Sequence, residues 1–257
     1  MPISFFKYQS TGNDFVLIDN REDIFPADNK TLIHKICDRK FGIGADGLIL
    51  LEPSEIADFT MQYYNADGSL GSFCGNGSRA VVSFAQTLGI IEDSARFEAY
   101  DGLHEAIIVD NLIQIKMADV KNGRQLLNGT FIDTGSPHYI EFVENLDDMD
   151  VVDQGRAVRN STIFAPNGSN INYVEKVGHG KIKVRTYERG VENETLSCGT
   201  GVTASAIAAA GAGLGNNIAI STLGGDLKVW FEHNDTGYHN IWLEGPTEKV
   251  FSGELQV

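Results

Sequence analysis

FCGNGSRAVVSFA (residues 73–85) and SCGTGVTASAIAA (197–209) share one core, Cys-Gly-x-Gly-x-x-Ala, and Cys198 follows Cys74 by 124 residues (198 − 74). Two further pairs keep that spacing. TGNDFVLI starts at Thr11 and TGSPHYIE at Thr134, while Tyr64-Asn65-Ala66-Asp67-Gly68 answers to Tyr187-Glu188-Arg189-Gly190; both offsets are 123 (134 − 11 and 187 − 64). Three pairs in one order at nearly one offset describe an internal duplication, and two copies are too few for a solenoid. The sequence therefore predicts an α+β fold of two homologous, pseudo-symmetric domains. The boundaries expected are 1–118 plus 247–257 for the Cys74 domain and 119–246 for the Cys198 domain.

The residues after each cysteine decide what the domains look like. Val81, Phe84, Ala85 and Leu88 recur at helical spacing, which predicts a helix over 76–88 ended by Gly89. GVTASAIAAAGAGLG after Cys198 is small and apolar on every side, and a helix with no polar face is buried all round. Its neighbours must wrap it, so each domain is expected to be a curved, antiparallel-rich sheet or barrel around a central helix, the second over 201–212. Apolar alternation predicts strands at 3–8, 14–19, 47–52 and 59–64, then three short ones from Arg96 to Met117. The second half reads alike, through 131–142, 170–177, 181–188, 220–224, 226–233 and 240–245. Further helices are expected over 29–40 and near 148–158, and KVFSGEL (249–255) is expected to return to the first domain.

Composition removes several functions. The 257 residues carry 20 Lys+Arg against 35 Asp+Glu, a formal charge of −15. That sign opposes phosphate backbones and anionic membranes, so neither nucleic acid nor membrane is an expected partner. No apolar run approaches the roughly 18 residues of a membrane span, and no secretory leader is visible, which points to the cytoplasm. The three cysteines, at 37, 74 and 198, suit neither a disulfide framework nor zinc-ligand spacing, so no metal site is expected. Cys37 lies on the apolar side of its helix and reads as buried and inert.

A cysteine at a helix N-terminus is a different matter. The first turn offers unpaired N–H groups and partial positive charge, which favours thiolate and can grip a carboxylate. Gly75, Gly77, Gly199 and Gly201 let a ligand approach the backbone. Two such units acting on one carbon, one thiolate and one thiol, could invert a carbon–hydrogen centre with no cofactor. Buried thiols in two tight strand-to-helix turns are the plainer alternative. A thiol–disulfide protein would use the same cysteines but normally carries CxxC, and an amino-acid-binding protein would bind without proton exchange.

With KYQSTGNDFVLID near the start, GIGADG (42–47), YNADGS (64–69), FCGNGSRA (73–80), SPH (136–138), NINYV (170–174), YERG (187–190) and SCGTG (197–201), the chain resembles the diaminopimelate epimerase family over nearly its whole length. Proline racemases differ around their cysteines, and phenazine-biosynthesis isomerases lack the pair. The resemblance implies a cofactor-independent homodimer of lysine biosynthesis that interconverts LL- and meso-2,6-diaminopimelate, with another amino acid such as proline or hydroxyproline as the alternative substrate. It implies that Cys74 and Cys198 are the acid/base pair. Gly75 with Asn76 and Gly199 with Thr200 would cradle the carboxylate at the reacting carbon. Asn13, Asn65, Asn170, Glu188 and Arg189 would bind substrate, His138 and Glu188 would tune the thiols, and Phe251 would lie at the dimer contact. Asn13, Asn65 and His138 also suit plain turns, and Arg189 a solvated surface charge. Ser136 and Gly47 depart from the family pattern, which has Asn and, in some members, Gln.

Overall fold

The structure is a computed structural model and describes residues 2–71 and 73–256. Two compact units divide the chain: Met1–Ile115 with Gly245–Val257, and Lys116–Glu244.

The first unit holds β1 (Ile3–Ser10), β2 (Asn13–Asp19), α1 (Lys30–Cys37), β3 (Gly47–Glu52), β4 (Phe59–Asn65), α2 (Gly75–Thr87), β5 (Ser94–Ala99), β6 (Gly102–Val109) and β7 (Leu112–Lys116). The second holds β8 (Arg124–Leu126), β9 (Gly129–Asp133), β10 (Pro137–Phe142), α3 (Val151–Arg159), β11 (Asn170–Gly178), β12 (Lys181–Glu188), β13 (Asn193–Thr195), α4 (Gly199–Gly211), β14 (Asn217–Thr222), β15 (Gly225–Asn234) and β16 (Gly237–Gly245). After it, β17 (Glu248–Leu255) pairs antiparallel with β1.

The duplication survives as topology. In the first unit β1–β2 is antiparallel, β2–β3 parallel, β3–β4 antiparallel, β4–β5 parallel, and β5–β6 and β6–β7 antiparallel. The second repeats that series through β9, β10, β11, β12, β14, β15 and β16. Each first strand gains an outer neighbour, β17 on β1 and β8 on β9. Within each unit the sheet carries a helix on either face. In β3, Leu48 and Leu50 join the core under α1, while Ile49 approaches Gly77 of α2. Covering both faces is why GLILLE reads as an unbroken apolar run rather than an alternating one. Along α4 every residue from Gly201 to Ala209 is buried, against β9–β12, β14 and β15.

Local chemistry moves some helix ends from their expected places. α1 stops at Cys37 rather than 40, because the Asp38 carboxylate turns round to accept the N–H groups of Lys40 and Phe41 (2.7 and 2.8 Å). α3 starts at Val151 because Asp150 caps it, accepting Asp153 N–H at 3.0 Å. α2 and α4 begin on Gly75 and Gly199, immediately after their cysteines. β8 and β13, three residues each, have too little alternation to be read from sequence. No helix among the described residues is long and apolar enough to cross a membrane.

Candidate active site

Both cysteines are helix N-caps with the same extended backbone: φ −125°, ψ 107° at Cys74 and φ −126°, ψ 112° at Cys198. That conformation ends the incoming chain and turns the first helical N–H groups past the side chain. In each unit the topology delivers the other candidates to this end of the helix. Asn13 opens β2, and Asn65 closes β4, antiparallel to β3. Pro137 and His138 open β10, Asn170 opens the parallel β11, and Glu188 closes β12.

In the first unit the Cys74 sulfur takes the place of a capping oxygen and accepts Gly77 N–H at 3.4 Å. Asn13 Oδ1 lies 3.9 Å from that sulfur and accepts Asn76 Nδ2 at 3.2 Å. The Asn13 amide is oriented from behind, since its Nδ2 donates to Asp46 Oδ2 at 2.7 Å. Arg39 joins Asp46 to Asp14, and Lys7 also pairs with Asp14. Burial would raise the Asp14 carboxyl, but hydrogen bonds and charge from Arg39 and Lys7 hold it at about 2. Asn65 instead donates to Ser69 Oγ at 3.1 Å within its own turn. At Gly47 a side chain has no room: a Cβ would lie 2.5 Å from the Tyr63 ring. The Tyr63 ring occupies the space that a longer residue at 47 would need. Cys37 is buried, and burial pushes its thiol up to about 12.

The second unit builds a hydrogen-bonded line to its cysteine. Asn172 Nδ2 lies 3.1 Å from His138 Nδ1, and its other amide hydrogen goes to the Tyr139 carbonyl (3.2 Å). Asn172 Oδ1 accepts the Thr186 hydroxyl at 2.9 Å, which fixes the orientation of the amide. His138 Nδ1 is therefore the acceptor and Nε2 carries the proton. Nε2 donates to Thr200 Oγ1 at 3.0 Å, and Thr200 Oγ1 lies 3.5 Å from Cys198 Sγ. With its oxygen receiving from His138, the Thr200 hydroxyl has its own proton available for the sulfur. Asn170 donates to Ser136 Oγ (3.0 Å) and the Pro137 carbonyl (3.1 Å) and accepts Arg189 N–H (2.9 Å), so the Ser136 hydroxyl is engaged by Asn170. The Arg189 guanidinium reaches the Asn167 carbonyl at 3.3 Å, and Glu188 accepts the Thr195 hydroxyl at 2.8 Å. Phe251 of β17 is 46% exposed and meets Phe5 edge-on.

Asn172 and Thr186 are the participants that residue-type reasoning missed. The sequence carries a signal for the first of them: Asn170 and Asn172 are two apart in a strand and share one face.

Full burial holds His138 neutral, with its pKa down to about 3, and the Arg189 charge adds to this. Unfolded histidine takes a proton below about pH 6.5. Between the two values the unfolded chain binds more protons, so stability falls as pH drops, by up to about 1.4 kcal/mol per unit. Urea midpoints measured from pH 7 to 5 should fall less steeply in His138→Gln than in the parent. Equal slopes would show that His138 titrates normally in the folded protein.

The sequence profile described as diaminopimelate epimerase matches residues 5–122 and 130–250. The chain is similar to the diaminopimelate epimerase of Flavobacterium psychrophilum, 51% identical over 96% of this chain and 97% of the relative. It is similar to that of Chlorobaculum tepidum, 41% identical over 95% and 98%. Among solved structures, a PhzF-family phenazine biosynthesis protein of Bacillus anthracis superposes with a TM-score of 0.75 at 15% identity, all of both chains being covered. A hydroxyproline epimerase of Agrobacterium vitis gives 0.71 at 13% identity, covering 99% of this chain and 92% of that one. At such identities these two likenesses concern the fold alone.

Proposed function

This chain belongs to the diaminopimelate epimerase family and is an isomerase, and we propose that it interconverts LL- and meso-2,6-diaminopimelate by a two-base proton transfer, as a step of lysine biosynthesis in the cytoplasm. One cysteine, as thiolate, removes the α-proton; the other, as thiol, delivers a proton to the opposite face. The carbon inverts, and the two thiols exchange protonation states. The C–H bond pair stays with the substrate and forms the new C–H bond, so no oxidation state changes and the step needs no oxidant or reductant.

The observation that carries this reading is the match between the two cysteines: two helix N-caps with the same backbone angles, on helices occupying equivalent places in two copies of one topology. The N–H groups at Gly75–Asn76 and Gly199–Thr200 suit the α-carboxylate, where negative charge grows as the proton leaves. Asn13, Asn65 and Asn170 are assigned to polar contacts with substrate, Glu188 to an ammonium, and Arg189 to the distal carboxylate, where its planar fork can bind two oxygens. The line from Asn172 through His138 to Thr200 supports a tuning role for His138: it aims a hydroxyl donor at the Cys198 sulfur, which stabilises thiolate over thiol. Glu188 is assigned the second tuning role.

In D2O the enzyme should place deuterium at the α-carbon of LL- and meso-diaminopimelate at rates comparable to inversion. Proline and hydroxyproline should exchange far more slowly, and binding without any exchange would sink the reading. Two copies are proposed to pair through the exposed side of β17 around Phe251. Light scattering decides this, a monomer removing it.

A further inference from the structure

One charged residue stands within α2, and it is completely buried: Arg79. Its Nη2 donates to Thr11 Oγ1 (3.1 Å) and Asn76 Oδ1 (2.9 Å), and its Nε to the Pro246 carbonyl (3.4 Å). All three acceptors are neutral. Nη1 is buried with no partner, and no ion pair among the described residues includes Arg79. A guanidinium does not give up its proton at neutral pH; burial draws this one down to about 10, still cationic. A buried charge without a counter-charge is heavily disfavoured, and here it adds to the positive end of the helix.

The strands packed on α2 offer few anions. They bring Lys7 and Tyr8 from β1, Asp14 and Asp19 from β2, Glu52 from β3, and Tyr63 and Tyr64 from β4. Each carboxylate is engaged elsewhere: Asp14 by Lys7 and Arg39, Asp19 by Arg21, and Glu52 by Asn20. Tyr8 bonds to Thr87, at the opposite end of the helix. At the N-terminal end of α2, Asp46 is taken up by Arg39 and Asn13, and Glu248, two residues past Pro246, by Gln9; the ionisable group at the head of the helix itself is the Cys74 thiol. The guanidinium reaches that end: Arg79 holds Asn76, Asn76 holds Asn13, and Asn13 Oδ1 stands by the sulfur.

We infer that Arg79 is the built-in counter-charge of the Cys74 thiolate, a positioning residue that keeps this thiol ionised and fixes the Asn76–Asn13 pair beside it. The inference rests on the reading of Cys74 as an acid/base group. The second unit lacks the device. Five positions beyond Cys198 stands Thr203, whose hydroxyl bonds back to the Gly199 carbonyl, and the titratable groups brought to that end are the neutral His138 and Glu188, which offer no cation. Cys198 thus has a hydroxyl donor, and Cys74 a fixed cation.

The test is the pH dependence of alkylation by iodoacetamide in the intact, substrate-free protein, each cysteine followed by peptide mass spectrometry. In the parent, the Cys74 midpoint should lie below the free-thiol value of about 8.5. Arg79→Gln should raise it by about one pH unit or more, slowing Cys74 alkylation about tenfold at neutral pH. The Cys198 profile should stay in place, and Arg79→Lys should restore most of the Cys74 shift. An unchanged Cys74 profile in folded Arg79→Gln overturns the inference. So does a joint shift of both thiols, or no rescue by lysine. Should Arg79→Gln not fold, the parent decides: a Cys74 midpoint at or above the free-thiol value overturns the inference, and one below it supports it. Turnover in Cys74→Ala separates the two levels. Activity there defeats the two-thiol reading itself, whereas an inactive Cys74→Ala with an unmoved profile in Arg79→Gln defeats only the counter-charge.

Discussion

Alanine at Cys74 or at Cys198 should each cut inversion of diaminopimelate by about a thousandfold or more, within the range that a positioned acid or base contributes. The two losses should not add in the double variant, because either one breaks the same relay. The single variants are informative in a second way. With one thiol left, a proton can leave and return on the same face, so deuterium can enter without inversion. Any residual exchange should then favour one stereoisomer in Cys74→Ala and the other in Cys198→Ala. The Cys198 side chain makes no capping bond and the Cys74 sulfur makes one long one, to Gly77 N–H at 3.4 Å, so circular dichroism and urea midpoints should stay near the parent values. Near-normal inversion in either variant would remove the two-base mechanism and leave the cysteines as structural residues at two helix starts.

The matched glycines at the third position of α2 and α4 should respond to alanine to very different degrees. At Gly201 a Cβ would lie 2.6 Å from Asn172 Oδ1 and 3.3 Å from both His138 Cε1 and Cys198 Cβ. Asn172 cannot step aside, because its amide is held by His138, Tyr139 and Thr186. At Gly77 the nearest atoms are the chain ends Ile49 Cδ1 and Met61 Cε, both at 3.1 Å, which can yield by a few tenths of an ångström. Alanine in place of helical glycine gains about 1 kcal/mol, and overpacking a core costs about 1–3 kcal/mol. Gly77→Ala should therefore come out near neutral. Gly201→Ala should lose about 2 kcal/mol in urea unfolding, and most of its turnover, because the Asn172–His138 line is displaced. Equal effects at both positions would mean that the second unit is less rigid around Cys198 than its hydrogen bonds imply.

The duplication was legible because it lay in identities at fixed spacing, and the burial of α4 because a run such as GVTASAIAAAG has no polar side to expose. The place of each cysteine at a helix start was legible too, because the glycines after it and the apolar spacing beyond mark where the helix begins. What sequence could not deliver was the outer support of each thiol. Asn172 sits in a strand where every neighbour is buried, and only the tertiary pairing with His138 reveals what its amide does. Arg79 is the one charge in its helix, and only its complete burial makes it a problem in charge compensation. Asn65 shows the converse: its pairing with Ser69 is a local turn that sequence does predict, and nothing local says what else it contacts.

The position of β17 has a consequence for how the protein is made. The second unit, Lys116–Glu244, is one continuous stretch and can fold as it leaves the ribosome. The first begins earlier, but β1 keeps an open edge until β17 arrives to pair Ile3 with Leu255, across almost the whole chain. Such distant closure is slow, and an uncovered strand edge recruits other chains. During synthesis the half that starts first is thus the last to be sealed, and the nascent protein's exposure to aggregation is concentrated along β1.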